Sequence, residues 1–291
     1  GAEHTKKDTL TPALKTLQSS FNWINHTYDH QNLDAIGYRS SVKEITENER
    51  VAHKLKLDNF TGIDMVTPDV SGLTNPLFLA AARDQGIRYL VTDTSRPGYD
   101  NPTPNAGIVN PIEPSILMIP RHANNLFYNV STPQEWEAEY RCIYAAQPPY
   151  STFTYEQILE NQAELLLFWM VKGNIDPLMF HQANLRAFDG TNSLLGRLID
   201  STLARYRAMF NLPVASLRMD QIGARMEQRM AWDAARARAS FVPGKSITLR
   251  AEAAALVPVT GLRTPGAEVY GGEPISWVKV DSAAPVTLPL Q

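Results

Sequence analysis

The chain has 291 residues, 44% of them hydrophobic, and a formal charge of −3 with both signs mixed along its length. That balance excludes a nucleic-acid or anionic-membrane surface, which needs a basic stripe. The most apolar run, ELLLFWMV, is too short to cross a bilayer, and a single cysteine excludes an intrachain disulfide.

Leu10, Ala13, Leu14 and Leu17 recur at helical spacing with Pro12 in the first turn, so residues 10–20 read as a helix. The short, aromatic-rich run 21–25 reads as a strand, and HTYDH follows at its end. Residues 40–57 read as a charged helix, 63–66 as a strand, 75–85 as a helix closed by Gly86, and 87–92 as a strand. TSRPGYDNPTPNAGIVNP then makes a long loop, a type of segment that often carries function. Residues 117–120 read as a strand, 133–146 and 155–172 as helices, and 177–180 as a strand ending in His181. Cys142, in the amphipathic run PQEWEAEYRCIYAA, is expected as a buried thiol acting as a small hydrophobe. Residues 196–210 and 219–239 read as long amphipathic helices. Beyond Pro243-Gly244, short alternating segments such as SITLRAEA and PISWVKV predict a small β unit. The expected domains are 1–242 and 243–291. Strands alternating with helices in the first imply an α/β fold with a parallel sheet or barrel, whose chemistry collects at the carboxyl ends of the strands.

His26 and His30 are four residues apart, so on a helical turn both imidazoles can face one ion. Catalytic zinc takes three protein ligands and keeps one position for water. The zincin pattern is excluded, because Thr27 stands where that motif has glutamate. Spacing alone leaves two readings open, metal ligands or solvated and capping histidines. His181 alone, at a strand end, reads as a hydrogen-bonded structural histidine. Arg96 alone reads as a loop-locking salt-bridge partner, and Tyr99 as a lid on the core. His122 is a candidate ligand contact, Trp169 a core residue, and His4 and His53 solvated side chains. Trp277 packs the β unit or faces outward as a stacking platform.

HTYDH resembles the His-Ser/Thr-x-x-His motif of the NodB-like polysaccharide deacetylases. RPGY at 96–99 resembles that family's Arg-Pro-Pro-Tyr loop, with Gly98 replacing the second proline, and PLMFHQANL is similar to its closing motif, an apolar strand ending in histidine. The three stand in the family's order over the first two-thirds of the chain. TPDVSGLTN, NLFYNVSTP and MFHQANL further resemble exopolysaccharide deacetylases of the galactosaminogalactan and Pel type.

The resemblance implies a distorted (β/α) barrel and metal-dependent de-N-acetylation of an aminosugar exopolysaccharide. It also implies a secreted, cell-surface or periplasmic location. The alternative is a non-catalytic carbohydrate-binding protein on the same scaffold. By the same match His26 and His30 hold a divalent metal, and Zn2+ suits imidazole and carboxylate ligands best. Thr27 steadies their loop through its hydroxyl. Arg96 orients and tunes a catalytic carboxylate, the Tyr99 backbone N–H binds the oxyanion, and His181 protonates the leaving amine. The family's first motif, an Asp-Asp pair supplying base and third ligand, has no counterpart in this sequence. Since the residues before Phe21 read as a helix, the expectation is a catalytic domain that is N-terminally incomplete, its Asp-Asp strand lying upstream of Gly1. Otherwise Asp29, Asp64, Asp69 or Asp93 substitutes, although each also reads as a cap or turn residue.

Overall fold

RYLVTD and SILMIP are apolar at consecutive positions, which suits strands buried on both faces of a parallel sheet. In the computed structural model, which describes residues 8–290 other than Pro102, they become β3 (Tyr89–Val91) and β5 (Leu117–Ile119), buried throughout. His4 lies outside the described residues. β1 (Trp23–Asn25), β2 (Phe60–Met65) and β4 (Ile108–Val109) join them in one sheet of order β1-β2-β3-β5-β4. β1, β2, β3 and β5 pair in parallel, and β4 runs antiparallel at one edge. The α/β class with a parallel sheet is what the chain adopts. Among the described residues this sheet has β1 and β4 at its edges.

Alternate residues of a strand face opposite ways. On one side, Met65, Leu90 and Met118 pack with Ile45 of α2 (Tyr38–Leu55) and with Phe78, Leu79 and Ala82 of α3 (Pro76–Asp84). Asn75 caps α3, its side chain accepting the Leu77 N–H at 3.0 Å, and Pro76 occupies the first turn, where its missing N–H costs nothing. A short helix, α1 (Leu10–Leu17), precedes β1. His53 on α2 is exposed, as expected.

Contacts divide the chain into two units, residues 1–120 with 215–291, and residues 121–214. The second is helical. α4 (Pro133–Ile143), α5 (Tyr155–Val171) and α6 (Leu194–Met209) enclose Trp136, Tyr140, Ile158, Leu194 and Leu198. Reciprocal capping boxes, Thr132 with Glu135 and Thr154 with Gln157, set the starts of α4 and α5. Two expectations fail here. Cys142 is exposed rather than buried, because Trp136 and Tyr140 define the inner face of α4 and Cys142, two residues after Tyr140, points away from it. The strand expected at 177–180 is reduced to a single parallel bridge between Leu178 and His122.

In the first unit, α7 (Met219–Ala234) contacts β2, β3 and β5. Arg88 makes a forked ion pair with Glu227, which also accepts the Tyr89 hydroxyl at 3.0 Å. The helix stops at Ala234, where 219–239 had been expected as one helix. Arg236 takes a left-handed φ of 49°, the Ala235 carbonyl accepts the Glu252 N–H at 2.8 Å, and β6 (Arg238–Val242) begins. The tail sheets therefore include residues expected in the helix. β6, β7 (Ser246–Arg250) and β11 (Val286–Pro289) form one antiparallel sheet; β8 (Ala255–Thr260), β10 (Glu273–Val280) and β9 (Glu268–Tyr270) form the other. Trp277 packs rather than projecting as a platform. Its ring lies 6.3 Å from Trp232, with the Arg225 guanidinium 4.5 Å above it.

Gly223 lets α7 approach the sheet, since a Cβ built there would lie 2.4 Å from the Tyr89 ring. Helix propensity alone would make Gly223→Ala stabilising by up to about 1 kcal/mol. The overlap outweighs it, and urea unfolding is expected to show a net loss of about 1–2 kcal/mol. An unchanged or raised midpoint would contradict the close approach of helix and sheet.

Candidate functional site

β1 ends at Asn25, and the loop after it is held mainly by α2. Asn25 is buried. Its Oδ1 accepts the Thr27 N–H at 2.9 Å, and its Nδ2 donates to the Ile45 carbonyl at 3.0 Å. Glu44, only 2% exposed, accepts the N–H groups of Tyr28 (3.0 Å) and Asp29 (2.8 Å) on one carboxylate oxygen. Asn48 donates to the Thr27 carbonyl at 2.7 Å. These bonds hold Thr27 at φ 66°, a left-handed region that a β-branched residue rarely adopts, and His30, one residue past the bonded Asp29 N–H, has φ 54°. The Thr27 hydroxyl is buried with no hydrogen-bond partner among the described residues. The loop is thus steadied through the Thr27 backbone, not through its hydroxyl as the motif implied.

Both histidine rings are exposed, 5.0 Å apart between centroids and nearly perpendicular at 78°. His26 Nδ1 lies 2.7 Å from the Val66 carbonyl at the end of β2. A carbonyl only accepts, so Nδ1 carries a proton and the lone pair of the neutral ring sits on Nε2. Metal-bound imidazoles commonly use this arrangement, one nitrogen donating to a backbone carbonyl and the other coordinating. The donor set therefore fits two ligands of an imidazole-binding metal.

It does not supply a third. Among the described residues no group of three or more His, Cys, Asp or Glu side chains could hold an ion. The four candidate aspartates are otherwise placed. Asp93 Oδ1 accepts the Ser95 N–H (2.9 Å) and hydroxyl (2.7 Å), closing a turn. Asp64 is buried and accepts the Thr61 hydroxyl. Asp69 is exposed at φ 52°, and Asp29 is exposed, its N–H bound to Glu44.

Arg96 follows β3. Its Nη1 donates to the carbonyls of Asp69 (2.7 Å) and Val70 (3.2 Å), in a loop where both residues have positive φ. The Tyr99 N–H, implied as an oxyanion donor, is bonded to the Arg96 carbonyl at 3.2 Å. The Tyr99 ring packs against the core, and burial raises its phenol pKa. His26, Thr27 and His30 follow the carboxyl end of β1 and Arg96 and Tyr99 that of β3, all in the first unit, and both loops bond to the segment after β2, the strand between them.

His181 belongs to the second unit, where it opens a 3-10 turn, Gln182–Leu185. Buried Asn184 fixes this turn: it accepts the His181 N–H at 2.9 Å and donates to the carbonyls of Phe127 (2.9 Å) and Val130 (3.0 Å). Tyr128, 70% exposed, stands edge-on to His181 at 5.9 Å. In the same unit His122 stacks on Trp169 at 4.2 Å, and its Nε2 lies 3.6 Å from the buried Asp176 carboxylate. Trp169 is a half-buried partner of His122 rather than a full core residue.

Sequence reasoning missed Asn25, Glu44, Asn48, Asn184 and Tyr128. A faint signal existed for Glu44, which occupies the buried face of α2 beside Ser41 and Ile45, a charge on an otherwise small and apolar stripe.

A family model described as the Agd3 deacetylase domain matches residues 2–240. A solved structure described as that of Agd3, a novel carbohydrate deacetylase, aligns with a TM-score of 0.81 at 23% identity. The alignment covers 98% of this chain and 47% of the other, so the chain spans about half the length of the structure it matches. No curated protein matches the sequence.

Burial pushes the Asp64 carboxyl up to about 6, with the Asp220 charge adding to the rise and the Thr61 hydroxyl opposing it. A raised folded-state pKa means the native protein holds the proton more tightly than the unfolded chain. The resulting stability is fully present below 3.8 and is lost as pH rises through about 6. Asp64→Asn should flatten the pH dependence of unfolding across that window and gain up to about 3 kcal/mol at neutral pH. A variant that keeps the wild-type pH dependence would contradict the assignment.

Proposed function

The chain belongs to the family of Agd3 deacetylase domains, and on that premise we propose that it de-N-acetylates an aminosugar polysaccharide using a divalent metal held by His26 and His30. The observation that carries the reading is the orientation of His26, whose Nδ1 lies 2.7 Å from the Val66 carbonyl, the backbone contact that metal-bound imidazoles commonly make. Zn2+ suits such ligands best. When bound, the metal supplies a Lewis acid that polarises the amide carbonyl and acidifies a water.

The residues of the chain do the rest. Glu44, Asn25 and Asn48 fix the direction of the histidine loop, and Arg96 holds the Asp69–Val70 loop beside it. In this reading Arg96 also tunes the carboxylate base. The Tyr99 N–H serves the oxyanion once its bond to the Arg96 carbonyl opens, where a fixed donor is worth most. His181 returns a proton to the leaving amine. The base and third ligand are carboxylates, as the family's first motif implies, and no carboxylate of the described residues is assigned to them. The same reading carries a NodB-type barrel and a secreted, cell-surface or periplasmic site of action.

The absence of a three-residue ligand group among the described residues is what favours the alternative, a non-catalytic saccharide binder. One experiment separates the two. Full-length protein supplied with Zn2+ is incubated with N-acetylated glucosamine and galactosamine polymers, and acetate is measured. We expect acetate release that a chelator abolishes and that His26→Ala lowers by roughly 100-fold or more. Metal-independent saccharide binding with no acetate release, or a His26→Ala variant equal to wild type, would overturn the deacetylase reading.

A further inference from the structure

Within the 121–214 unit, α4, the turn after it, the 3-10 turn Tyr150–Thr152 and α5 line an open cleft of about 550 Å3. That volume lies within the range of small-ligand sites. Its walls are mostly phenols and carboxamides, with Leu165 the one aliphatic side chain of the lining. Tyr140, Tyr144 and Tyr150 come from the α4 side and the turns after it, and Asn161 and Gln162 from α5.

The polar floor is prearranged. Gln162 is 1% exposed, accepts the Asn125 N–H at 3.2 Å and donates to Asn161 Oδ1 at 2.9 Å. The buried Tyr140 hydroxyl donates to the same oxygen at 3.5 Å. Asn161 Oδ1 is thereby occupied, while its amide nitrogen has no protein partner among the described residues and remains a donor for a ligand oxygen. Burial pushes the Tyr140 phenol up to about 12, so the network keeps its proton at any working pH. Tyr150, 39% exposed and 5.6 Å from Tyr144, offers a ring face to the C–H face of a sugar. Charge narrows the ligand further. Glu164 is the one acidic side chain in the lining, and neither lysine nor arginine contributes. Such a wall disfavours phosphate and acidic sugars and favours a hydroxylated ligand carrying a cation.

We propose that this cleft binds a hexosamine unit bearing a free amine, its hydroxyls on the Tyr and amide network, its ring against Tyr150 and its ammonium towards Glu164. The link to the reaction rests on the deacetylase reading, in which such a unit is the product. The site would then hold the chain on polymer that has already been deacetylated.

The test is a binding measurement without turnover. Full-length protein carrying His26→Ala is titrated with a glucosamine tetramer and with its fully N-acetylated counterpart, followed by tyrosine fluorescence. The free-amine tetramer is expected to bind at least three-fold more tightly, as a rough figure for one exposed ion pair. Glu164→Gln should remove that preference, and Tyr150→Ala should weaken the free-amine tetramer by about ten-fold. No binding, equal affinity for the two tetramers, or binding unaffected by both substitutions would overturn the proposal. Because no acetate is measured, failure of this site and failure of the deacetylase reading give different results.

Discussion

One oxygen of Glu44 receives two backbone N–H groups, those of Tyr28 and Asp29, and the histidine loop takes its shape from that clamp. A buried carboxylate is costly unless its lone pairs are satisfied, and here the donors are backbone groups of the loop itself. Holding Thr27 and His30 in left-handed conformations costs on the order of 1–3 kcal/mol each. Hydrogen bonds to an ionised group return about 1.5–3 kcal/mol each. Two of these, with Asn25 and Asn48 added, are enough to hold the conformation. Glu44 in turn is positioned by burial, since its neighbour Ile45 lies in the central core and fixes which face of α2 meets the sheet.

From that clamp the contacts spread along one edge of the sheet. His26 rests on Val66 after β2, and Arg96 after β3 reaches back to the carbonyls of Asp69 and Val70. The ends of three adjacent parallel strands are tied by side chain to backbone bonds, a rigid mounting of the kind a precise site requires. On the opposite face α7 packs Gly223 against Tyr89, and farther along the same helix Arg225 and Trp232 engage Glu268 and Trp277 of the tail. One helix therefore couples the catalytic-type sheet and the β unit within the first structural unit.

Much of this was readable from local pattern. The cap residues Asn75, Thr132 and Thr154 mark helix starts, and the continuous apolar runs of β3 and β5 mark buried parallel strands. HTYDH announced the histidine pair. The clamp behind it was not legible, because Glu44 and Asn48 act across 15 to 21 residues and leave no short-range signature. Thr27 misled for the same reason: the motif drew attention to its hydroxyl, whereas the backbone on either side of it makes the bonds. ARARAS continued the helical pattern of α7, and only the turn at Pro243-Gly244, with Gly244 at φ 68°, pairs that stretch as a strand. PLMF looked like a strand by composition, yet it makes a single bridge, since β-propensity needs a partner strand to act on.

In the proposed function, Glu44 presets His26 and His30 as a pair of metal ligands through the loop it clamps. The most direct test of this role is a Zn2+ titration of the full-length protein, followed through the ring resonances of the two histidines, for wild type and for Glu44→Ala. Both rings should shift together in the wild type, and the variant should need roughly 10- to 100-fold more metal for the same response. Equal titrations of the two proteins, or rings that respond independently in the wild type, would contradict it.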